Sequence, residues 1–293
     1  MIKKSPIHYM GTKEKLLDQL LPLFPLKIST FYDLFGGSGV VSLNVKANTY
    51  VLNDLSKHIY NLYEMFATIP SEDIINYCYE QRNKYGFSVS ITDKKIIPVY
   101  NKEPYRKLRK DVNNNPTVLG YYFLSFYSFC NQFRFSKENK FNMPVGNGYF
   151  KSEFIPCIRD FCDFFRNNDV RCYNKSYEEV QIDDVNGFVY LDIPYCNTNA
   201  VYNETSRDLG GWNETNDKKF FTYCEKLNAL GVKWCISNVF TNKGKTNWHL
   251  IEWVKKFNWE VVHLNMKYAS HGVDANETDE VAILNYCPEC FLF

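Results

Sequence analysis

The sequence predicts an α/β fold: a doubly wound sheet interrupted by a helical, basic insertion. Two observations predict it. Short apolar runs ending in Gly, Asn, Asp or Ser alternate with stretches of helical spacing at both ends of the chain, whereas residues 72–170 lack clear strands. The charge is divided along the same lines. The net charge of +1 conceals a balanced start, 7 basic and 7 acidic residues over 1–79, then 13 against 5 over 80–151 and 14 against 21 over 152–293. A basic block set in a neutral-to-acidic chain faces a polyanion more readily than the total suggests.

Residues 14–24 have the apolar spacing of a helix. Residues 30–35 form a short buried strand that runs into Gly36-Gly37-Ser38-Gly39 and a helix start over 40–45. Residues 49–52 are a second strand, ending at Asn53-Asp54, and 57–68 an amphipathic helix. Strand, glycine turn, helix, strand and acid make one βαβ unit. In the insertion Asn113-Asn114-Asn115-Pro116 is a break, and 121–129 is strongly aromatic. Strands resume at 188–191, running into Asp192-Ile193-Pro194-Tyr195, at 233–236, running into Ser237-Asn238, and at 260–266 and 280–286. Helices are expected over 215–230 and 246–257, and a mobile loop over 197–214, carrying Tyr202, Asn203 and Trp212. The expected division is a core of residues 1–70 and 171–293 with an insertion of 71–170. Ligands of such sheets bind beyond the carboxyl ends of the strands.

Several classes are excluded. No run of about 18 apolar residues is present, so no membrane span is expected. No apolar stretch follows Lys3-Lys4, so no signal peptide is expected and the location should be cytoplasmic. The ten cysteines then read as reduced thiols. Cys287 and Cys290 form a lone C-x-x-C without a second pair, and no metal is expected.

Two motifs carry chemistry. In Asp33-Leu34-Phe35-Gly36-Gly37-Ser38-Gly39 the glycines let backbone approach a ligand at a helix start. Ser42 stands where a dinucleotide fingerprint wants a third glycine, and Asp54, 15 residues beyond Gly39, is placed to accept ribose hydroxyls. In Asp192-Ile193-Pro194-Tyr195 a carboxylate, a carbonyl and an aromatic ring at one strand end suit a planar base with an exocyclic amine.

Taken in order, these motifs resemble the Dam-type, D12 class adenine-N6 DNA methyltransferases, particularly phage members. His8-Tyr9-Met10-Gly11-Thr12-Lys13 is similar to that family's N-terminal cofactor motif. Residues 33–39 are similar to its S-adenosylmethionine (AdoMet) loop, Asn53-Asp54 to its ribose-binding acid, and 192–195 to its catalytic tetrapeptide. Asn131-Gln132-Phe133-Arg134 and Phe141-Asn142-Met143-Pro144-Val145-Gly146 resemble its target-recognition segment. Ile236-Ser237-Asn238 and Thr278-Asp279-Glu280-Val281 resemble late-strand motifs, so the likeness runs nearly the length of the chain. One departure is Ile193, where the family usually has proline. Ile still supplies the carbonyl, and Pro194 biases residue 193 to extended backbone.

The resemblance implies a seven-stranded, mostly parallel AdoMet-dependent methyltransferase sheet with one antiparallel strand and a helical DNA-recognition insertion. It implies AdoMet as cofactor, held by Tyr9, Gly11, Lys13, Asp33, Phe35, Gly36, Gly37, Ser38, Gly39, Asn53, Asp54 and Asp192. It implies double-stranded DNA as partner, contacted by His8, Asn131, Phe133, Arg134, Asn142 and Pro144, with no metal and a monomeric enzyme. Asp192, Ile193, Pro194 and Tyr195 would present a flipped adenine for methylation, with GATC the first expectation for the target. The alternatives are a DNA-binding relative with impaired catalysis, favoured by Ile193, and a nicotinamide-dependent dehydrogenase, compatible with the glycine turn and Asp54.

Overall fold

The computed structural model describes residues 2–88, 97–196, 212–265 and 278–289. Its strands are β1 (Thr30–Asp33), β2 (Thr49–Asn53), β3 (Asp169–Tyr173), β4 (Phe188–Leu191), β5 (Lys233–Asn242), β6 (Lys245–Thr246), β7 (Glu260–Leu264) and β8 (Thr278–Leu284). The sheet order is β3-β2-β1-β4-β5-β8-β7, with β6 paired to β5. The first five strands in this order run parallel, and β8 is antiparallel to both β5 and β7. This is the doubly wound, mostly parallel sheet expected from the sequence, with β6 as a two-residue addition. The winding reverses between β1 and β4: β2 and β3 lie on one side, β5 on the other. Such a reversal opens a crevice at the carboxyl ends of the two strands, and those ends carry Asp33 and Asp192.

Alternation along the strands sorts side chains to the two faces. Phe31, Tyr50, Leu52, Phe188 and Tyr190 pack on one face, Tyr32, Val51, Val189, Leu191 and Trp234 on the other. The second face is covered by α8 (Glu214–Ala229) and α9 (Trp248–Phe257), through Phe220, Phe221, Trp253 and Val254. The first is covered by α2 (Val40–Asn44) and α3 (Lys57–Thr68). Its core continues without a break into the middle of the chain, α4 (Ser71–Tyr85), α5 (Ile97–Asn114), α6 (Val118–Ser125) and α7 (Phe154–Asn167). Phe66 of α3 meets Tyr122 of α6 at 5.3 Å and Phe161 of α7 at 5.1 Å between ring centroids. Much of the high aromatic content is therefore core.

Three elements differ from the sequence reading. Residues 14–24 are broken into a 3-10 turn (Glu14–Leu16), α1 (Leu17–Leu20) and a second 3-10 turn (Leu21–Leu23), because Pro22 cannot continue the helix. The apolar face survives: Leu16, Leu17, Leu20 and Leu23 are all buried. β3 was hidden in the sequence because it is an edge strand, Asp-Val-Arg-Cys-Tyr, partly exposed throughout. It begins two residues before the expected start of the second core segment at 171. β5 runs on to Asn242, past Asn238, because β8 pairs with it from Cys235↔Leu284 to Asn242↔Thr278. The expected mobile loop lies for the most part outside the described residues, Tyr202 and Asn203 included, as do Met266 and Cys290.

Gly39, the residue before α2, has φ 68°. A Cβ there would lie 2.8 Å from the Phe161 ring of α7. Gly39→Ala should therefore cost about 1–3 kcal/mol, read as a lower urea midpoint at unchanged slope; an unshifted midpoint would show that the ring yields freely.

Candidate active site

The glycine turn after β1 is built by backbone. Gly36 N–H donates to Asn53 O at 2.8 Å and Gly39 N–H to Gly36 O at 2.7 Å. Gly37 takes φ 51°, and a Cβ there would crowd the Tyr9 ring at 3.0 Å. The Tyr63 hydroxyl donates to Gly37 O at 2.8 Å. Asp54, just past β2, braces the turn: Oδ2 accepts from Gly37 N–H at 2.9 Å and Oδ1 from Ser56 N–H at 2.8 Å. Burial pushes its pKa up to about 6, against the pull of those two bonds.

The Asn53 amide donates to Leu34 O and Lys175 O, both at 3.0 Å, and accepts from Lys175 N–H at 3.1 Å. That group ties β1 to the turn after β3, and Asn53 also lines the cavity. Ser42 gains a role that its reading as a missing glycine hid. Its hydroxyl donates to Asp33 Oδ2 at 2.8 Å.

Asp33 is 1% exposed, and its Oδ1 is buried without a hydrogen-bond partner. Burial pushes its pKa up to about 7; the Ser42 bond opposes this, the Asp192 and Asp54 charges add to it, and Lys13 opposes it. The Lys13 ammonium reaches both oxygens of Asp192, at 2.6 and 2.7 Å, and donates to Gly11 O at 3.1 Å. It also lies 5.3 Å from the Tyr195 ring centroid. Burial raises the Asp192 carboxyl, and Lys13 pulls it back down. Ile193 is buried, and both it and Pro194 line the cavity.

These groups open into a cavity of about 270 Å³, bounded by Tyr9–Lys13, the glycine turn and Asp192–Pro194. Its far wall was not anticipated. It consists of the turn Lys175–Glu178 with Trp212, Asn216 and Lys219. Phe35 meets Tyr177 at 5.3 Å and Trp212 at 6.1 Å, making an aromatic wall. Trp212 Nε1 donates to the buried Asp217 of α8 at 2.6 Å, which fixes the indole. Of these residues only Trp212 stands out in the sequence, as part of the expected loop over 197–214; Tyr177 is an aromatic residue beside acids, too common to read.

The expected recognition segment lies in two loops bonded to each other and strapped to α5. Phe129 N–H donates to Pro144 O at 2.9 Å and Gly146 N–H to Tyr127 O at 2.7 Å. Tyr105 and Arg109 of α5 both donate to Met143 O at 2.8 Å, and Asn113 exchanges bonds with Phe141. Arg134 donates from Nε to Asn142 Oδ1 at 2.8 Å and from Nη2 to Asn142 O at 3.3 Å, so two expected contact residues are joined. Asn131 is partly exposed and Pro144 exposed.

Two expected DNA contacts are corrected. Phe133 is 5% exposed and packs against Phe141 in the core, so it is not free to meet a base. His8 Nε2 is buried without a hydrogen-bond partner, its ring edge-on to Phe154 at 5.0 Å. Burial lowers the His8 pKa, favouring the uncharged ring and weakening any phosphate contact. The aromatic that the segment does present is Phe129, 54% exposed. It precedes two residues at positive φ, Cys130 at 52° and Asn131 at 53°. On the neighbouring face of α5, Lys102, Arg106, Lys107 and Lys110 are exposed. Among the described residues no cluster of three metal-ligating side chains occurs, and no helix is long and apolar enough to cross a membrane.

The family model of the D12 class N6 adenine-specific DNA methyltransferases matches residues 9–267. The chain belongs to this family. It is 34% identical over 294 residues to the modification methylase StsI of Streptococcus sanguinis, covering 98% of this chain and 44% of the relative. It is 34% identical to the type II methyltransferase M.FokI of Planomicrobium okeanokoites, over 97% of this chain and 43% of the relative. The DNA adenine methylase of Vibrio cholerae is 23% identical, with 96% of each chain covered. The chain thus spans less than half the length of the two more similar relatives. Family membership leaves the dehydrogenase alternative without support.

Because burial raises Asp33 above the ordinary carboxylate value of 3.8, the folded chain holds this proton more tightly than the unfolded chain. Its stabilisation is complete below that value and is lost as pH rises through about 7. Stability from this group should fall by at most about 1.4 kcal/mol per pH unit across that window. The difference in urea stability between wild type and Asp33→Asn should change across the window and level off above it; a pH-independent difference would refute the raised pKa. In the recognition segment, Phe133→Ala should cost about 3–5 kcal/mol, and Phe129→Ala no more than about 0.5 kcal/mol. Urea melts of the two variants check this, and equal losses would contradict the assigned burial.

Proposed function

We propose that the chain transfers a methyl group from AdoMet to N6 of an adenine in double-stranded DNA. The observation that carries this is the Lys13 ammonium seated on both oxygens of Asp192, at the carboxyl end of β4 and the mouth of the cavity. An N–H donor is what this carboxylate is placed to receive, and the exocyclic amine of adenine is such a donor.

The residues present suit AdoMet. Asp33 Oδ1, buried and unpartnered, suits a cationic group, and Gly36, Gly37 and Ser38 line the cavity, whereas Gly39 faces the Phe161 ring. AdoMet supplies an electrophilic methyl group on a sulfonium. In this reading the glycine turn and Lys13 hold its amino-acid part, Asp33 its charge, Asp54 the ribose, and the Phe35–Tyr177–Trp212 wall its base. Asp192 and the Ile193 carbonyl accept hydrogen bonds from N6, Pro194 holds Ile193 extended, and Tyr195 stacks on the ring. The two acceptors draw the amine toward tetrahedral geometry and aim its lone pair, so the acceleration comes from positioning and fixed charge.

The base must leave the duplex to reach this site, at a cost of a few kcal/mol. We assign the exposed Phe129, rather than the buried Phe133, to the gap it leaves. The exposed cations of α5 neutralise phosphates, and residues 71–170 act as the recognition region. The Arg134–Asn142 pair is assigned to a base edge. GATC remains the first target to test, and the adenine is read by sequencing a host genome that expresses the chain.

Asp192→Ala should lose at least about 100-fold in transfer of a labelled methyl to duplex DNA at saturating AdoMet. Turnover retained in the variant would overturn the assignment. A wild-type chain that binds DNA and AdoMet but transfers nothing would favour the catalytically impaired alternative.

A further inference from the structure

Glu280 is 4% exposed, and the methyl-transfer chemistry makes no use of it. It lies in β8, opposite Leu264 of β7 and opposite Val239 of β5, beside a register shift in β5, so strands flank its backbone on both sides. The residues that follow it, Val281, Ala282, Ile283 and Leu284, are all buried and apolar. Placing a carboxylate in such a strand is costly unless a partner compensates it. Glu280 Oε2 accepts a hydrogen bond from the Tyr195 hydroxyl at 3.3 Å. At the ring of the same tyrosine stands Lys13, which is bound to Asp192. Tyr195 itself follows β4 by four residues and is outside any strand, so its backbone is not held by the sheet as that of Glu280 is.

We propose that Glu280 is a positioning residue that acts through the Tyr195 hydroxyl, setting the plane of the ring on which the target adenine stacks. The proposal rests on the adenine-N6 reading above. The stacked base must present its amine to Asp192 in a narrow range of orientations, and small misplacements of a reacting group cost large factors in rate. A rigid strand at the far end of the ring supplies that restraint without touching the base.

Single-turnover methyl transfer to duplex DNA tests it, together with AdoMet binding and a urea melt of each variant. Glu280→Leu should lower the transfer rate about tenfold, a loss of about 1.4 kcal/mol in transition-state stabilisation, with AdoMet affinity unchanged. Glu280→Gln, which keeps an acceptor, should recover most of the rate. Tyr195→Phe, which keeps the ring and removes the hydroxyl, should match Glu280→Leu, and the double variant should be no slower than either. Independent, multiplicative losses in the double variant would overturn the proposal, as would a wild-type rate in Tyr195→Phe. The Tyr195→Phe and Glu280→Gln measurements decide the matter even if Glu280→Leu fails to fold. Wild type that transfers no methyl to adenine overturns the underlying reading and this role with it. Wild type that does so, with Glu280→Leu unaffected, overturns only the role of Glu280.

Discussion

Three carboxylates, Asp33, Asp54 and Asp192, converge at the carboxyl ends of β1, β2 and β4, with the Lys13 ammonium buried on Asp192. Buried charge is tolerated only where it is paired or hydrogen-bonded, and much of the surrounding structure serves that need. Asp54 is compensated by two backbone N–H groups, and in being so it shapes the glycine turn. Asp192 is compensated by Lys13, which pins the N-terminal segment across the sheet crevice to β4. Asp33 has the Ser42 hydroxyl on one oxygen and nothing on the other, and burial raises its pKa to about 7. The electrostatic shortfall of the site is therefore localised, at a place that suits a cation.

The same economy governs the recognition region. Its loops have little regular structure, only isolated bridges at Ser128↔Val145 and Phe135↔Phe141. Their shape comes from α5, whose Tyr105, Arg109 and Asn113 bond the backbone of Phe141 and Met143. The helix face that holds these loops is continuous with one carrying exposed cations. A single helix thus fixes the loops and supplies charge beside them. The basic block seen in the sequence is accordingly a scaffold as well as the surface proposed to face DNA.

The shared core has a mechanical consequence. Phe66, Tyr122 and Phe161 join the sheet-covering helix α3 to α6 and α7, and the Phe161 ring abuts Gly39 in the glycine turn. Packing in the middle of the chain therefore bears directly on the backbone of the candidate cofactor turn. Any displacement of α7 would be felt at Gly39, because close-packed interiors transmit strain.

The sequence by itself determined the buried strands of the sheet and the charged groups at their ends. Buried strands such as 30–33 and 188–191 are contiguous apolar runs ending in marked residues, so local pattern sufficed for them. The order of motifs from Lys13 to Glu280 likewise sufficed for the family. Tertiary structure decided everything that depends on which face a side chain takes. Phe129 and Phe133 are both aromatics in one short segment, and only positive φ at Cys130 and Asn131 turns the first outward while the second packs on Phe141. Asn53 and Asp54 are adjacent polar residues, yet one bonds the turn after β3 and the other the glycine turn. β3 escaped notice because an edge strand needs no apolar run. Lys13 and Asp192, 179 residues apart, meet only because the sheet reverses between β1 and β4, a long-range arrangement that no local pattern encodes.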